Sequence, residues 1–413
     1  MPAPESVAAR LRRLFVLELS NPFARHLARA YTIDDLRLQA RRRLPKIVYE
    51  FVEGGAEDEV TVRRNREAFS EIGLEPEYLR DVARRDLTTT VLGTEVASPV
   101  VLGPTGLQRL AHVDGELAAA RAAGAMGSIY VAATASSYTI EEIAEAATGP
   151  LWFQLYLWSS REILGALVER ARTAGCVALC LTIDVPVLGG RERDLRNGMR
   201  IPPRVGLANA LDAARRPRWL YGIAQGEDLT YVNLRGAPGV ESDGLSLMEY
   251  LNTRLTDPAA TWDELTWLRS IWNGPLVVKG ITSVADARRA IEGGADGVVV
   301  SNHGGRQLDG APATIERLPR IINAVGDRAE VYLDGGIRRG TDVLKAIAMG
   351  ARACLVGRPY WYGLGAGGEA GVRRCLEIFN GELDRALALV GRPTLAELDG
   401  EVVRVPADWS AGG

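Results

Sequence analysis

Eight short apolar runs, each breaking off at glycine, proline, aspartate or asparagine, restrict what this chain can fold into. They are SPVVLGPTG (98–106), GSIYVAAT (127–134), PLWFQLY (150–156), VALCLTIDVP (177–186), GPLVVKG (274–280), DGVVVSNHGG (296–305), EVYLDGG (330–336) and RACLVGRP (352–359). Strands this apolar are buried on both faces, which implies a parallel sheet covered by helices. The stretches between them, such as DGELAAARAAGA, SREILGALVERARTAG, SVADARRAIEGGA and GTDVLKAIAMGA, read as helices, several closing on a Gly-Ala or Ala-Gly pair suited to a C-cap. Eight β–α units predict an α/β fold, a (β/α)8 TIM barrel, with a doubly wound open sheet as the structural rival. A chain of 413 residues suits such a barrel with insertions.

Two segments stand outside the repeat. Residues 1–31 form an expected N-terminal helical extension, in which Leu11, Leu14, Phe15 and Leu19 keep a helical period between arginines. It suits packing on a neighbouring subunit, or a membrane or partner contact. The barrel itself is expected over 32–409, interrupted by a long loop after strand four (187–262). Loops of this length are lids, binding loops or disordered segments. Within it, Trp219, Leu220 and Tyr221 beside Arg215, Arg216 and Arg218 suit packing over the barrel mouth, with a membrane surface as the alternative.

The bulk composition excludes several classes. A net charge of -3 exerts no pull toward nucleic acid. No apolar run reaches the ~18 residues of a membrane span, and Arg12, Arg13 and Glu18 break the N-terminal apolar stretch, so no signal peptide is expected. The four cysteines show neither CxxC nor Cys/His ligand spacing. Buried reduced thiols, no metal site and a cytoplasmic location are the expectation, with Cys176 and Cys180 on one face of a strand.

Barrels of this kind carry their active sites at the C-terminal ends of the strands. Those ends hold Pro104 and Thr105, Thr134, Gln154 and Tyr156, Thr182 and Asp184, and Lys279. The remaining ends add Ser301 with His303 and Arg306, Asp334 with Gly335, Gly336 and Arg338, and Gly357 with Arg358. Folding alone does not require a polar side chain at almost every strand end. LDGGIRRGTD (333–342) and VGRP (356–359) combine glycines with Arg338, Arg339 and Arg358, a composition for phosphate held by backbone amides, a helix N-terminus and guanidinium forks. Lys279, deep in the barrel, needs an anion or an electron-rich group, and Asp184 needs a partner, either His303 or Arg191, unless it caps a helix. These residues fit a sugar-phosphate isomerase, a flavin enzyme oxidising an anionic substrate, or a phosphate-binding protein without turnover.

SNHGGRQLD, LDGGIRRGTD, FQLY, LTIDVPVLGGRERDLRNG, GPTGLQRLAHVDGE and EGGAEDEVT together resemble the FMN-dependent α-hydroxy acid oxidases and dehydrogenases, in order and spacing from about residue 32 to 409. The resemblance implies the barrel, bound FMN, a small 2-hydroxy acid substrate and a homo-oligomer, by family a tetramer. It makes His303 the base that removes a substrate proton, with Asp184 stabilising the imidazolium. Arg306 and Arg191 would clamp the substrate carboxylate and Tyr156 would bond near its oxygen. Pro104, Thr105 and Gly106 would lie along the flavin ring, with Gln154, Thr182, Lys279 and Ser301 on its polar edge. Asp334 would hold the ribityl chain, and Gly335, Gly336, Arg338, Gly357 and Arg358 the phosphate end.

The chain departs from that pattern where many members carry a tyrosine and it has Phe51, and where Ala133 and Ala135 replace serine and a bulky aromatic. Both imply a larger or more apolar acid than glycolate. Gly106 is expected to leave room at the flavin face. The fourth loop is similar to the segment by which mandelate dehydrogenase meets membranes, which implies a location peripheral to the inner membrane face and transfer to a quinone or protein partner, oxygen being the alternative acceptor. Related FMN barrels serve as type 2 isopentenyl diphosphate isomerase and in maturing mycofactocin, so isomerisation or a larger peptide-derived substrate are the alternatives.

Overall fold

The computed structural model describes residues 26–158, 160–199, 206–225, 229–235 and 257–410. The expected extension helix over Leu11 to Leu19 and the glycine-rich part of the fourth loop lie outside the described residues. The eight apolar runs form β1 (Val100–Leu102), β2 (Tyr130–Ala133), β3 (Leu151–Tyr156), β4 (Ala178–Thr182), β5 (Leu276–Ile281), β6 (Gly297–Val300), β7 (Glu330–Asp334) and β8 (Ala353–Val356). They close into one barrel in the order β7-β8-β1-β2-β3-β4-β5-β6. Closure excludes the open-sheet rival.

Alternation along each strand sorts its side chains into two cores. Val101, Val131, Trp152, Cys180, Val277, Val299, Tyr332 and Leu355 fill the barrel, and Trp152 meets Tyr332 edge-on at 6.0 Å. Their sequence neighbours, including Leu102, Phe153, Leu179, Val278, Val298 and Leu333, join the helices in the outer core. Carrying the inner parity one or two steps toward the C-terminal end of each strand reaches Gln154 and Tyr156, Thr182, Lys279, Ser301 and Asp334. One alternation thus supplies both an apolar floor and a polar rim. Cys176 does not share a strand face with Cys180: β4 begins at Ala178, the Cys176 amide bonds Ala171 at the preceding helix end, and the two thiols sit in different cores.

The helix Lys46–Glu53 lies against this rim. Its last carbonyls lack intrahelical donors, and two arginines supply them. Arg306 Nη1 donates to Phe51 O and Gly54 O at 2.8 and 2.9 Å. Arg358 Nε donates to Val52 O and its Nη2 to Gly54 O, while Nη1 reaches Gly304 O, all at 2.8 Å.

The described part of the fourth loop carries the helices Glu192–Asn197, Leu207–Ala214 and Pro217–Gln225. Trp219 Nε1 donates to Leu110 O at 2.7 Å, so this residue packs against the loop after β1, whereas Leu207, Leu211 and Tyr221 are exposed. No helix among the described residues is long and apolar enough to cross a membrane.

A register shift between Lys279 and Ile281 turns the end of β5, and Gly280 sits in the bulge at φ +105°. A Cβ there would stand 2.7 Å from Cβ and Cγ of Asp184. Gly280→Ala combines backbone strain with this collision, a cost of roughly 1–3 kcal/mol. It is expected to lower the apparent Tm and displace Asp184. A thermal melt matching wild type would show that the bulge tolerates a side chain.

Candidate active site

The strand ends and their loops enclose a cavity of about 580 Å³, within the range of cofactor and ligand sites. Phe51, Pro104, Thr105, Gly106, Tyr156, Arg191, Lys279, His303, Arg306, Asp334, Gly335, Gly336, Arg338, Gly357 and Arg358 all line it. Asp184, Gln154, Thr182 and Ser301 are not in the lining. Gln154 and Thr182 lie buried together, Gln154 Nε2 donating to Thr182 Oγ1 at 3.0 Å.

His303 takes a left-handed conformation, φ +58°, rare for a residue with a side chain. The conformation is held by its surroundings. Its amide donates to Ser301 Oγ at 3.1 Å, and its Nδ1 lies 2.9 Å from Asp184 Oδ1. With the Nδ1 proton facing Asp184, Nε2 is the basic nitrogen. Burial opposes the Asp184 charge, but His303, by charge and hydrogen bond, and then Lys279 outweigh it and hold its pKa below the ordinary 3.8. The sequence left open a pairing of Asp184 with Arg191. Arg191 Nη1 instead lies 3.5 Å from Asp194 Oδ2, a carboxylate in the cavity wall whose pKa burial raises against the opposing charges of Arg191 and Arg306.

Lys279 finds its anion inside the fold. Its Nζ is 2.8 Å from Asp334 Oδ2 and donates to Ser301 Oγ at 2.9 Å, and Ser301 Oγ donates to Asp334 at 2.8 Å. Burial disfavours the ammonium, yet Asp334 and then Asp184 raise its pKa. The arginines differ. Burial, then the charges of Arg191 and Arg358, push the Arg306 pKa well down. Both Arg191 and Arg306 lie over the Phe51 ring, at 5.8 and 5.3 Å. Such a concentration of guanidinium charge suits an anion.

The two loops expected to hold phosphate differ in what their helix N-termini offer. The helix Gly340–Ala348 offers no free N-terminus, because Asp342 Oδ2 accepts from the amides of Arg338 and Arg339 and Glu382 accepts from Gly340. The helical segment beginning at Arg358 has no side-chain cap at Gly357, and both residues line the cavity. Burial and the neighbouring Arg338 charge lower the Arg358 pKa, partly offset by Tyr362. Arg338 Nε is buried without a hydrogen-bond partner among the described residues. Two like charges, an orphaned donor and an uncapped helix start fit the phosphate end of FMN. Gly106 lines the cavity, and a Cβ there would lie 2.6 Å from Ala135 O, so the close approach of Ala135 requires glycine at this position.

Sequence reasoning missed several supports. Asn65 and Asn302 exchange side-chain amide hydrogen bonds, both 2.9 Å, and Asn302 Oδ1 accepts from the Gly305 amide at 3.2 Å. Asn302 stood inside the SNHGG motif, but nothing marked Asn65. Gln108 Nε2 bonds the Tyr130 and Tyr360 hydroxyls and Thr105 O, bracing the loop after β1. Asp194 was legible in its three-residue spacing from Arg191, whereas Tyr231, also in the lining, carried no signal.

A model of the FMN-dependent dehydrogenase family matches residues 40–405. The putative L-lactate dehydrogenase of Mycobacterium tuberculosis (strain ATCC 25618 / H37Rv) is 45% identical over 375 residues, 91% of this chain and 89% of that protein. L-lactate oxidase of Nostoc sp. (strain PCC 7120 / SAG 25.82 / UTEX 2576) is 45% identical over 364 residues, 87% and 94% of the two chains. The crystal structure of (S)-mandelate dehydrogenase, described as a monotopic membrane protein, superposes with a TM-score of 0.86 at 40% identity, covering 91% of this chain and 99% of that one. The chain belongs to the family of FMN-dependent α-hydroxy acid oxidases and dehydrogenases. It is an FMN-dependent oxidoreductase acting on CH–OH donors.

The Asp184–His303 pair makes a pH prediction. Since the folded pKa of Asp184 lies below the unfolded 3.8, its charge stabilises the fold above that pH, and the contribution is lost as pH falls through the lower folded value. Wild type is expected to melt above Asp184→Asn at neutral pH, and the two apparent Tm values to converge below about pH 4. A gap that persists undiminished into stronger acid would contradict the pairing.

Proposed function

We propose that this chain oxidises an L-2-hydroxy acid, larger or more apolar than glycolate, to the 2-keto acid, with His303 as the base. The observation that carries the reading is the His303–Asp184 pair at 2.9 Å, in one site with the two guanidinium groups on the Phe51 ring. Arg191 and Arg306 take the substrate carboxylate. Burial, with the Asp184 charge adding, pushes the Tyr156 phenol up to about 12, so it stays protonated and donates to the substrate oxygen. His303 Nε2 accepts the substrate proton, and the Asp184 carboxylate stabilises the imidazolium. FMN, when bound, accepts the two electrons. Pro104, Thr105, Gly106, Gln154, Thr182, Lys279 and Ser301 hold its ring system, and Asp334, Gly335, Gly336, Arg338, Gly357 and Arg358 its ribityl phosphate.

Ala133, Ala135, Leu107, Leu195 and Met199 line the cavity and support an apolar substrate group. The relatives favour this reading over isomerisation or a larger peptide-derived substrate. Exposed Leu207, Leu211 and Tyr221 support peripheral membrane attachment and a quinone or protein acceptor. The likeness to (S)-mandelate dehydrogenase, described as a monotopic membrane protein, supports the peripheral attachment too.

Anaerobic mixing with L-lactate, L-mandelate, glycolate and a longer 2-hydroxy acid tests the proposal. Bleaching of the flavin band is expected with an apolar acid ahead of glycolate. Colour that returns slowly in air and quickly with a quinone identifies a dehydrogenase, and fast recovery in air an oxidase. His303→Gln is expected to retain FMN and to lose roughly 10²–10⁴-fold in the rate of bleaching. Reduction of that variant at the wild-type rate would remove His303 from its role.

A further inference from the structure

Tyr231 reaches the cavity from a part of the chain remote from the other polar lining residues. It precedes the single turn Val232–Leu234, whose three residues are buried. Asn233 docks this piece of the fourth loop on the rim. Its Oδ1 accepts from the Ile140 amide, the first of the helix Ile140–Ala146, at 2.9 Å. Its backbone carbonyl accepts from Arg170 Nη1 at 2.8 Å. Tyr231 is therefore positioned by a built contact.

The Tyr231 hydroxyl has no hydrogen-bond partner among the described residues. Burial raises its pKa while Arg191 opposes, so it is a neutral donor within electrostatic reach of that guanidinium and of Tyr156. Phe51, carrying Arg191 and Arg306 on its ring, has no hydroxyl to offer the same anion. A carboxylate has about four acceptor positions, so a hydroxyl can share it with the two guanidinium groups.

We propose that the Tyr231 hydroxyl donates a hydrogen bond to the substrate carboxylate beside Arg191, supplying the contact that Phe51 lacks. Tyr231 is then a specificity residue for the acid group, delivered by the fourth loop. The inference rests on the hydroxy acid reading above.

The test uses flavin-loaded wild type, Tyr231→Phe, Phe51→Tyr and the double variant. Pyruvate and phenylglyoxylate are titrated into the oxidised proteins by the shift in flavin absorption, and hydroxy acid reduction is followed anaerobically. Tyr231→Phe is expected to weaken keto-acid binding about tenfold, and to raise KM by a larger factor than it lowers the limiting rate. Adding Phe51→Tyr is expected to restore affinity to within about threefold, a rescue that a packing defect would not show. Unchanged affinity in Tyr231→Phe, or a double variant as weak as the single, overturns the inference. If wild type is bleached by an acid and Tyr231→Phe behaves identically, only the role of Tyr231 falls. If no 2-hydroxy acid bleaches wild type, the oxidation reading falls and this inference with it.

Discussion

The carbonyl end of the helix Lys46–Glu53 is closed by Arg306 and Arg358, and the shape of the rim depends on that closure. A helix C-terminus carries partial negative charge and unpaired acceptors, which guanidinium donors can satisfy. Arg358 joins three segments in one contact, since it starts the last long helical segment, bonds Val52 and Gly54, and reaches Gly304 beside His303. Arg306 uses one nitrogen on the same helix end and keeps the rest of its fork at the cavity. A residue read from sequence as a ligand clamp is therefore also a brace. The two roles are compatible, because a guanidinium has five N–H donors and Arg358 spends three on the fold.

The charges of the cavity divide by whether the protein already answers them. Lys279, Ser301 and Asp334 form a closed triangle in which burial is offset by a counter-ion at 2.8 Å. Arg191, Arg306, Arg338 and Arg358 crowd one another with fewer anions, and burial disfavours the charge of Arg306 and Arg358. Positive charge left short of partners in a cavity is stabilised by ligands that carry the anions. A hydroxy acid contributes a carboxylate and FMN a phosphate, so loading both is expected to tighten the same rim that shapes them.

Much of this was legible because a barrel converts strand order into spatial order. Once eight apolar runs are recognised, the polar residue closing each run must fall on one ring, which located Gln154, Thr182, Lys279, Ser301 and Asp334 without knowledge of any contact. Side-chain parity did the rest. What stayed hidden depends on approaches between remote segments. Asn65 lies in a charged helix with no mark of its partner 237 positions away. Tyr231 is carried in by a loop whose path the local sequence does not encode. The Cys176 and Cys180 expectation failed because the strand begins at Ala178, two residues after Cys176.

The reciprocal amides of Asn65 and Asn302 also shape how the protein can change. Each side chain donates to the other and accepts from it, so the orientation of one amide fixes that of its partner. Changing either one alone strands a buried polar group, at a cost of about 1–3 kcal/mol, beside the histidine that the motif exists to display. The two positions are thus energetically coupled, and a substitution at one is expected to change the cost of a substitution at the other. Anyone transplanting the histidine loop into a different barrel would have to carry the helix Val60–Glu67 with it.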